Sequence, residues 1–141
     1  MSWAGNKTFK ETLRGLFQKK GQAPFSSMPS PEDFAHTEAL IQKWVNGKGY
    51  RMPDTNQEQV AERIGITPGA LSRFFHHKNQ DFRSWRTSLR IEDAKRQILE
   101  EPQTPFSVIC KRVGISDRSN FSRQFKAVTG KTPGQWKNLQ K

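Results

Sequence analysis

Two stretches decide how this chain folds: Val60-Ala-Glu-Arg-Ile-Gly-Ile-Thr-Pro-Gly-Ala-Leu-Ser-Arg-Phe-Phe75 and Ile109-Cys-Lys-Arg-Val-Gly-Ile-Ser-Asp-Arg-Ser-Asn-Phe-Ser-Arg-Gln-Phe125. They align once a single residue is inserted in the second. Arg63 then pairs with Arg112, Gly65 with Gly114, Ile66 with Ile115, Ser72 with Ser122, Arg73 with Arg123 and Phe75 with Phe125; after one further gap, Trp85 pairs with Trp136. Two copies are too few for a solenoid and fit a duplicated small module. Each copy reads helix, Gly-Ile-[Thr/Ser], helix, the pattern of a helix-turn-helix, in which glycine permits the tight turn and isoleucine fills the angle between the helices.

In a helix-turn-helix the second helix enters the DNA major groove, so its outward residues are the candidate site. A helical wheel turns Leu71, Phe74 and Phe75 inward in the first copy and leaves Gly69, Ser72, Arg73 and His76 outward. In the second copy Phe121, Phe125 and Val128 are expected inside, and Ser119, Ser122, Arg123 and Lys126 outside. Arg118 lies off that face but in the first turn, the end that meets base edges. An outward arginine can bond guanine O6 and N7 in bidentate fashion, worth about 1 to 3 kcal/mol of base discrimination. Both copies carry one at the matching position, Arg73 and Arg123. Ser72, Ser119, Asn120, Ser122 and Lys126 suit phosphate contacts as readily as base contacts.

Working outward, Asp81 to Glu100 contains neither Gly nor Pro and reads as one helix about 30 Å long. Phe82, Trp85 and Leu89 share one face, whereas Ile91, Ala94 and Ile98 lie roughly opposite, as a helix touching two separate cores requires. Upstream, Ser30-Pro31-Glu32-Asp33 is a helix start with an N-cap serine and an N1 proline, followed by the apolar stripe Phe34, Leu40, Ile41, Trp44 and Val45. A short helix over 57–64 uses Val60, Ala61 and Ile64. Thr67-Pro68 opens the next, running to about Lys78. After Pro102 and Pro105, three more helices are expected near 106–113, 117–128 and 133–139. The fold class is therefore all-α: a seven-helix domain with two helix-turn-helix subdomains joined by a long linker helix. The expected divisions are a basic tail and linker over 1–30, a first subdomain over 31–80, the linker helix over 81–101 and a second subdomain over 102–141. Recognition helices reading successive major-groove faces sit about 34 Å apart, a separation the linker helix can hold, so one chain can read an asymmetric site of about 20 bp.

Charge agrees with a polyanionic partner. The 141 residues hold 24 Lys and Arg against 13 Asp and Glu, a formal charge of +11. Residues 1–30 carry five basic and one acidic residue, residues 31–102 carry eleven of each, and residues 103–141 carry eight against one. The second module is thus the main electrostatic footprint. In residues 1–20, Phe9, Leu13, Leu16 and Phe17 can share a face of a short basic amphipathic helix, and three prolines within 21–31 read as a linker.

Catalysis finds little footing. His76 and His77 project about 100° apart on a helix and His36 is remote, so no zinc geometry arises. Cys110, the one cysteine, reads as a small core residue within an amphipathic helix. No cofactor and no metal site is expected.

Gly114-Ile-Ser-Asp-Arg-Ser-Asn-Phe-Ser-Arg-Gln-Phe-Lys-Ala-Val-Thr-Gly-Lys-Thr-Pro-Gly-Gln-Trp-Lys137 closely resembles the C-terminal signature of the AraC/XylS family of bacterial transcription regulators, and Leu89-Arg-Ile-Glu-Asp-Ala-Lys95 looks like that family's linker helix. The resemblance covers about residues 31–141. It implies double-stranded promoter DNA as partner and, in most members, RNA polymerase. By position it puts base contacts on Gly69, Ser72 and Arg73 in the first unit and on Arg118, Ser119, Asn120, Ser122 and Arg123 in the second. Two residues depart from the family pattern. Gly69 offers no side chain, which weakens the first unit's readout, and Ile115 stands where Phe is usual, a change of packing. Family members usually carry a sensing or dimerising domain, which thirty residues cannot build, so such a domain is expected upstream in a longer parent chain. Trp44 and the Phe82 to Trp85 segment also resemble the Bacteroidetes regulators fused to membrane sensors. That implies a cytoplasmic domain of a membrane-anchored parent, with the N-terminal segment beside the membrane. Two rivals stand beside this reading: a membrane-surface adaptor acting through residues 1–20, and an architectural DNA binder without sequence preference.

Overall fold

The computed structural model describes residues 31–53 and 55–141. Seven α-helices and no strands occur among them. The helices are α1 (Pro31–Asn46), α2 (Gln57–Ile64), α3 (Pro68–His77), α4 (Phe82–Glu100), α5 (Phe106–Arg112), α6 (Arg118–Thr129) and α7 (Pro133–Leu139). A 3₁₀ turn, Gly49–Arg51, follows α1. The amphipathic helix expected near the N-terminus, the Ser30 cap and most of the Pro-rich linker lie outside the described residues.

Local chemistry sets the helix starts. The side chains of Thr67, Asp81, Asp117 and Thr132 each accept a hydrogen bond from the backbone N–H three residues on, satisfying a donor that the helix leaves open. Asn56 and Gln59 form a reciprocal capping box at α2, and Thr132 and Gln135 do the same at α7. Pro68 and Pro133 follow their caps within the first turn, where a missing N–H costs nothing.

The helices pack around two apolar centres, and α4 belongs to both. Phe82, Trp85 and Leu89 close the first centre with Ile41, Leu71 and Phe75. Ile91, Ala94 and Ile98 close the second with Ile109, Phe121 and Phe125. The change of apolar face along α4 therefore has its expected cause. The repeat is also visible in the packing: the Phe75 ring meets Trp85 at 4.9 Å between centroids, and its counterpart Phe125 meets Trp136 at 5.8 Å. Trp44 stacks on Trp85 at 6.0 Å, and Gly49 leaves the room its indole needs, since a Cβ there would collide with it. Cys110 is buried, its Sγ lies 3.3 Å from the Ser107 carbonyl, and burial raises the thiol pKa, which opposes a reactive thiolate.

Candidate nucleic-acid interface

Each helix-turn-helix is built by one glycine. Gly65 and Gly114 stand at φ +94° and +97°, in the left-handed region that disfavours a Cβ, and each ends the helix before the turn. The next residue closes the corner in both copies: Ile66 N–H donates to the Ala61 carbonyl at 3.0 Å, and Ile115 N–H to the Cys110 carbonyl at 2.9 Å. This fixes α3 on α2 and α6 on α5 in matching ways. The two copies differ in their surroundings, however. A Cβ on Gly65 would meet nothing within 4 Å, whereas one on Gly114 would stand 2.6 Å from the Arg51 carbonyl oxygen.

Helices α3 and α6 present the outward faces that the wheel assigns. On α3, Leu71, Phe74 and Phe75 are buried while Gly69, Ser72, Arg73 and His76 are exposed. On α6, Phe121 and Phe125 are buried; Arg118, Ser119, Arg123 and Lys126 are exposed, and Asn120 and Ser122 are half-buried. Val128 is the exception. Expected inside, it is 37% exposed, in the last turn of α6 before the cap at Gly130.

Both arginines lean back over the first turn of their own helix. A Cβ on Gly69 would lie 3.2 Å from Arg73 Nη1, so the bare glycine leaves the guanidinium room to lie close to the α3 backbone. Arg123 Nη2 donates to Asn120 Oδ1 at 3.4 Å. Arg118 lines a cleft of about 370 Å³ with Lys137, Thr104 and Ser107, at the start of α5. The histidine pair divides: His76 is exposed, and His77 sets its ring edge-on to Phe34 at 4.9 Å.

Among the described residues, Arg73, Arg118, Arg123 and Lys126 have no carboxylate within ion-pair distance, whereas Arg51, Arg96 and Arg112 each do. The cations on the recognition helices therefore remain available to an outside anion. Those near the linker helix are engaged internally.

The wheel did not anticipate the polar stripe that α4 carries between its two apolar faces. Arg86, Arg90, Asp93 and Gln97 recur at the i, i+4, i+7, i+11 spacing of one helix face. Arg86 Nη1 donates to the Thr55 carbonyl at 2.7 Å, and Arg90 donates to the Tyr50 and Met52 carbonyls at 2.7 and 3.0 Å. Asp93, fully buried, accepts from Tyr50 Oη at 2.9 Å, from Arg51 Nε and Nη2 at 2.6 and 2.8 Å, from Arg96 Nη2 at 2.6 Å and from Gln97 Nε2 at 3.1 Å. Burial raises the Asp93 pKa, but the hydrogen bonds from Arg51, Gln97 and Tyr50 outweigh it and hold the carboxyl below its usual range. Burial, then the neighbouring carboxylate, push the Tyr50 phenol up, so it stays a neutral donor. The spacing of the stripe was legible; its partners, some forty residues away, were not.

This fold and surface define a tandem helix-turn-helix protein. A family model described as a helix-turn-helix domain matches residues 60–139. The chain is similar to the arabinose operon regulatory protein of Escherichia coli (strain K12), at 33% identity over 128 residues, covering 89% of this chain and 42% of the relative. It is also similar to the transcriptional activator RhrA of Rhizobium meliloti (strain 1021), at 36% identity over 81 residues, 57% of this chain and 26% of the relative. Among solved structures, the C-terminal domain of AraT, a response regulator from Geobacillus stearothermophilus, superposes with a TM-score of 0.62 at 27% identity, covering 78% of this chain and 86% of that one. The chain spans less than half the length of these two curated relatives. It belongs to the AraC/XylS family, and the two curated relatives are named as a regulatory protein and a transcriptional activator.

Proposed function

We propose that this chain is a sequence-specific DNA-binding transcription regulator that inserts α3 and α6 into successive major-groove segments of promoter DNA. The observation that carries the reading is the matched, exposed pair Arg73 and Arg123, each on the second helix of its unit and each without a carboxylate partner among the described residues. Arg73 and Arg123 read guanines, Arg118, Ser119 and Asn120 meet bases from the first turn of α6, and Ser72, Ser122, His76 and Lys126 hold phosphates or neighbouring base edges. Gly69 contributes close backbone approach. The first unit spans 31–80, the linker helix 81–101 and the second unit 102–141, with a basic tail ahead of them. The domain acts in the cytoplasm with RNA polymerase as a further partner. A sensing or dimerising domain upstream in the parent chain, membrane-anchored in the Bacteroidetes manner, supplies the signal.

Selection of binding sites from a random duplex library, followed by competition of the selected duplex against bulk DNA at fixed salt, tests this. A specific reader prefers its site by about 10³ or more. Equal competition would reduce the chain to an architectural binder.

A further inference from the structure

The linker helix is gripped from both sides by polar contacts that no base contact needs. From the first unit, Tyr50 and Arg51 of the 3₁₀ turn reach the buried Asp93. Toward the second unit, Asp93 holds Gln97, whose Oε1 accepts from Arg112 Nη1 at 3.2 Å; Arg112, on α5, also meets Glu101 at 3.1 Å. The backbone closes the same joint directly, for the Arg51 carbonyl rests against the Cα of Gly114, the corner of the second helix-turn-helix. A chain of contacts thus runs from the 3₁₀ turn through α4 to α5 and to the turn that aims α6. Of the hydrogen-bonding partners of Asp93, Tyr50 and Arg51 tie it to the 3₁₀ turn and Gln97 leads on to α5, whereas Arg96 bonds within α4 itself; none lies on α3 or α6.

A single α-helix between two domains fixes their distance but leaves their relative rotation open to bending and to slack at its ends. On B-DNA that rotation matters, because one base pair between half-sites shifts the second by about 3.4 Å and turns it by about 34°. We infer that Asp93 is a positioning residue that sets the half-site spacing this chain accepts, and so acts as a specificity determinant without touching DNA. The carboxylate ties the 3₁₀ turn to the linker helix and, through Gln97 and Arg112, to α5. Without it, Arg51 and Arg96 lose their shared anion and the two units turn more freely.

The inference rests on the two-helix reading proposed above, and its test separates the two. Affinities are measured on the selected duplex, on versions with one base pair added or removed between half-sites, and on a duplex holding a single half-site. Wild type favours its own spacing by about tenfold or more over either neighbour. Asp93→Asn lowers that ratio to about threefold or less while affinity for the single half-site is unchanged. A variant that was merely less folded would lose affinity on every duplex alike and leave the ratio intact. Tyr50→Phe, which keeps its ring in the core and removes one bond to Asp93, lowers the ratio in the same direction and decides the matter should Asp93→Asn fail to fold. Unchanged spacing ratios in the folded variants would overturn the inference; failure of wild type to prefer any duplex would overturn the two-helix reading instead.

Discussion

Gly114 and Arg51 lie back to back, with the Arg51 carbonyl oxygen 2.6 Å from where a Gly114 Cβ would stand. Gly65, its counterpart in the repeat, has nothing within 4 Å. One sequence feature, the turn glycine, therefore answers two requirements in the second unit and one in the first.

Substitution separates those requirements. Gly65→Ala places a Cβ at φ +94° and costs about 1 to 2 kcal/mol. Gly114→Ala carries the same backbone cost plus about 1 to 3 kcal/mol of overpacking against the Arg51 backbone. Urea denaturation of the two variants should rank Gly114→Ala as the more damaging. Equal midpoints would show that the joint yields easily.

The buried carboxylate makes stability depend on acid. Because the folded Asp93 carboxyl sits below its usual range, the unfolded chain binds its proton first. The Asp93 contribution is complete above pH ~4 and disappears as pH falls through the lower folded value. Asp93→Asn should cost about 1 to 3 kcal/mol at pH 7, since it removes the buried charge that the half-buried Arg51 and Arg96 share. The gap between wild type and variant should narrow below pH ~4. A gap of constant size down to pH 2 would mean that the charge on Asp93 does not matter.

Base reading and phosphate binding predict different signatures on α6. Arg123→Ala should cost about 1 to 3 kcal/mol on the selected site and little on random DNA. Lys126→Ala should weaken both and reduce the salt slope by about 1. An equal loss on both duplexes from Arg123→Ala would assign that side chain to phosphate.

The second core depends on one aromatic pair. Trp136, 8% exposed and packed on Phe125, closes the centre beneath α6, and Trp136→Ala should cost about 3 to 5 kcal/mol by thermal or urea unfolding. A loss below about 1 kcal/mol would place the anchor of α7 elsewhere.

Much of this was legible because it is periodic. Five helix starts follow side-chain caps, the two faces of α4 follow from where Phe82 and Ile91 fall in a 3.6-residue period, and the exposure of Arg73 and Arg123 follows from the apolar residues beside them. The turn at Gly49–Arg51 was not legible, because three residues carry no period and Tyr50 acquires its role only from an aspartate 43 positions away. Val128 was misjudged because a wheel assigns a face but not how far each residue on it is covered. His77 was read with His76, yet the ring of Phe34, on another helix, draws it to the surface of the core.

The central claim, that α3 and α6 each read their own groove, is tested most directly by guanine-N7 methylation interference on the selected duplex with wild type, Arg73→Ala and Arg123→Ala. Wild type should show two interfering clusters about 10 bp apart. Each variant should lose a different one of them. Loss of the same cluster in both variants, or a single cluster in wild type, would contradict the account.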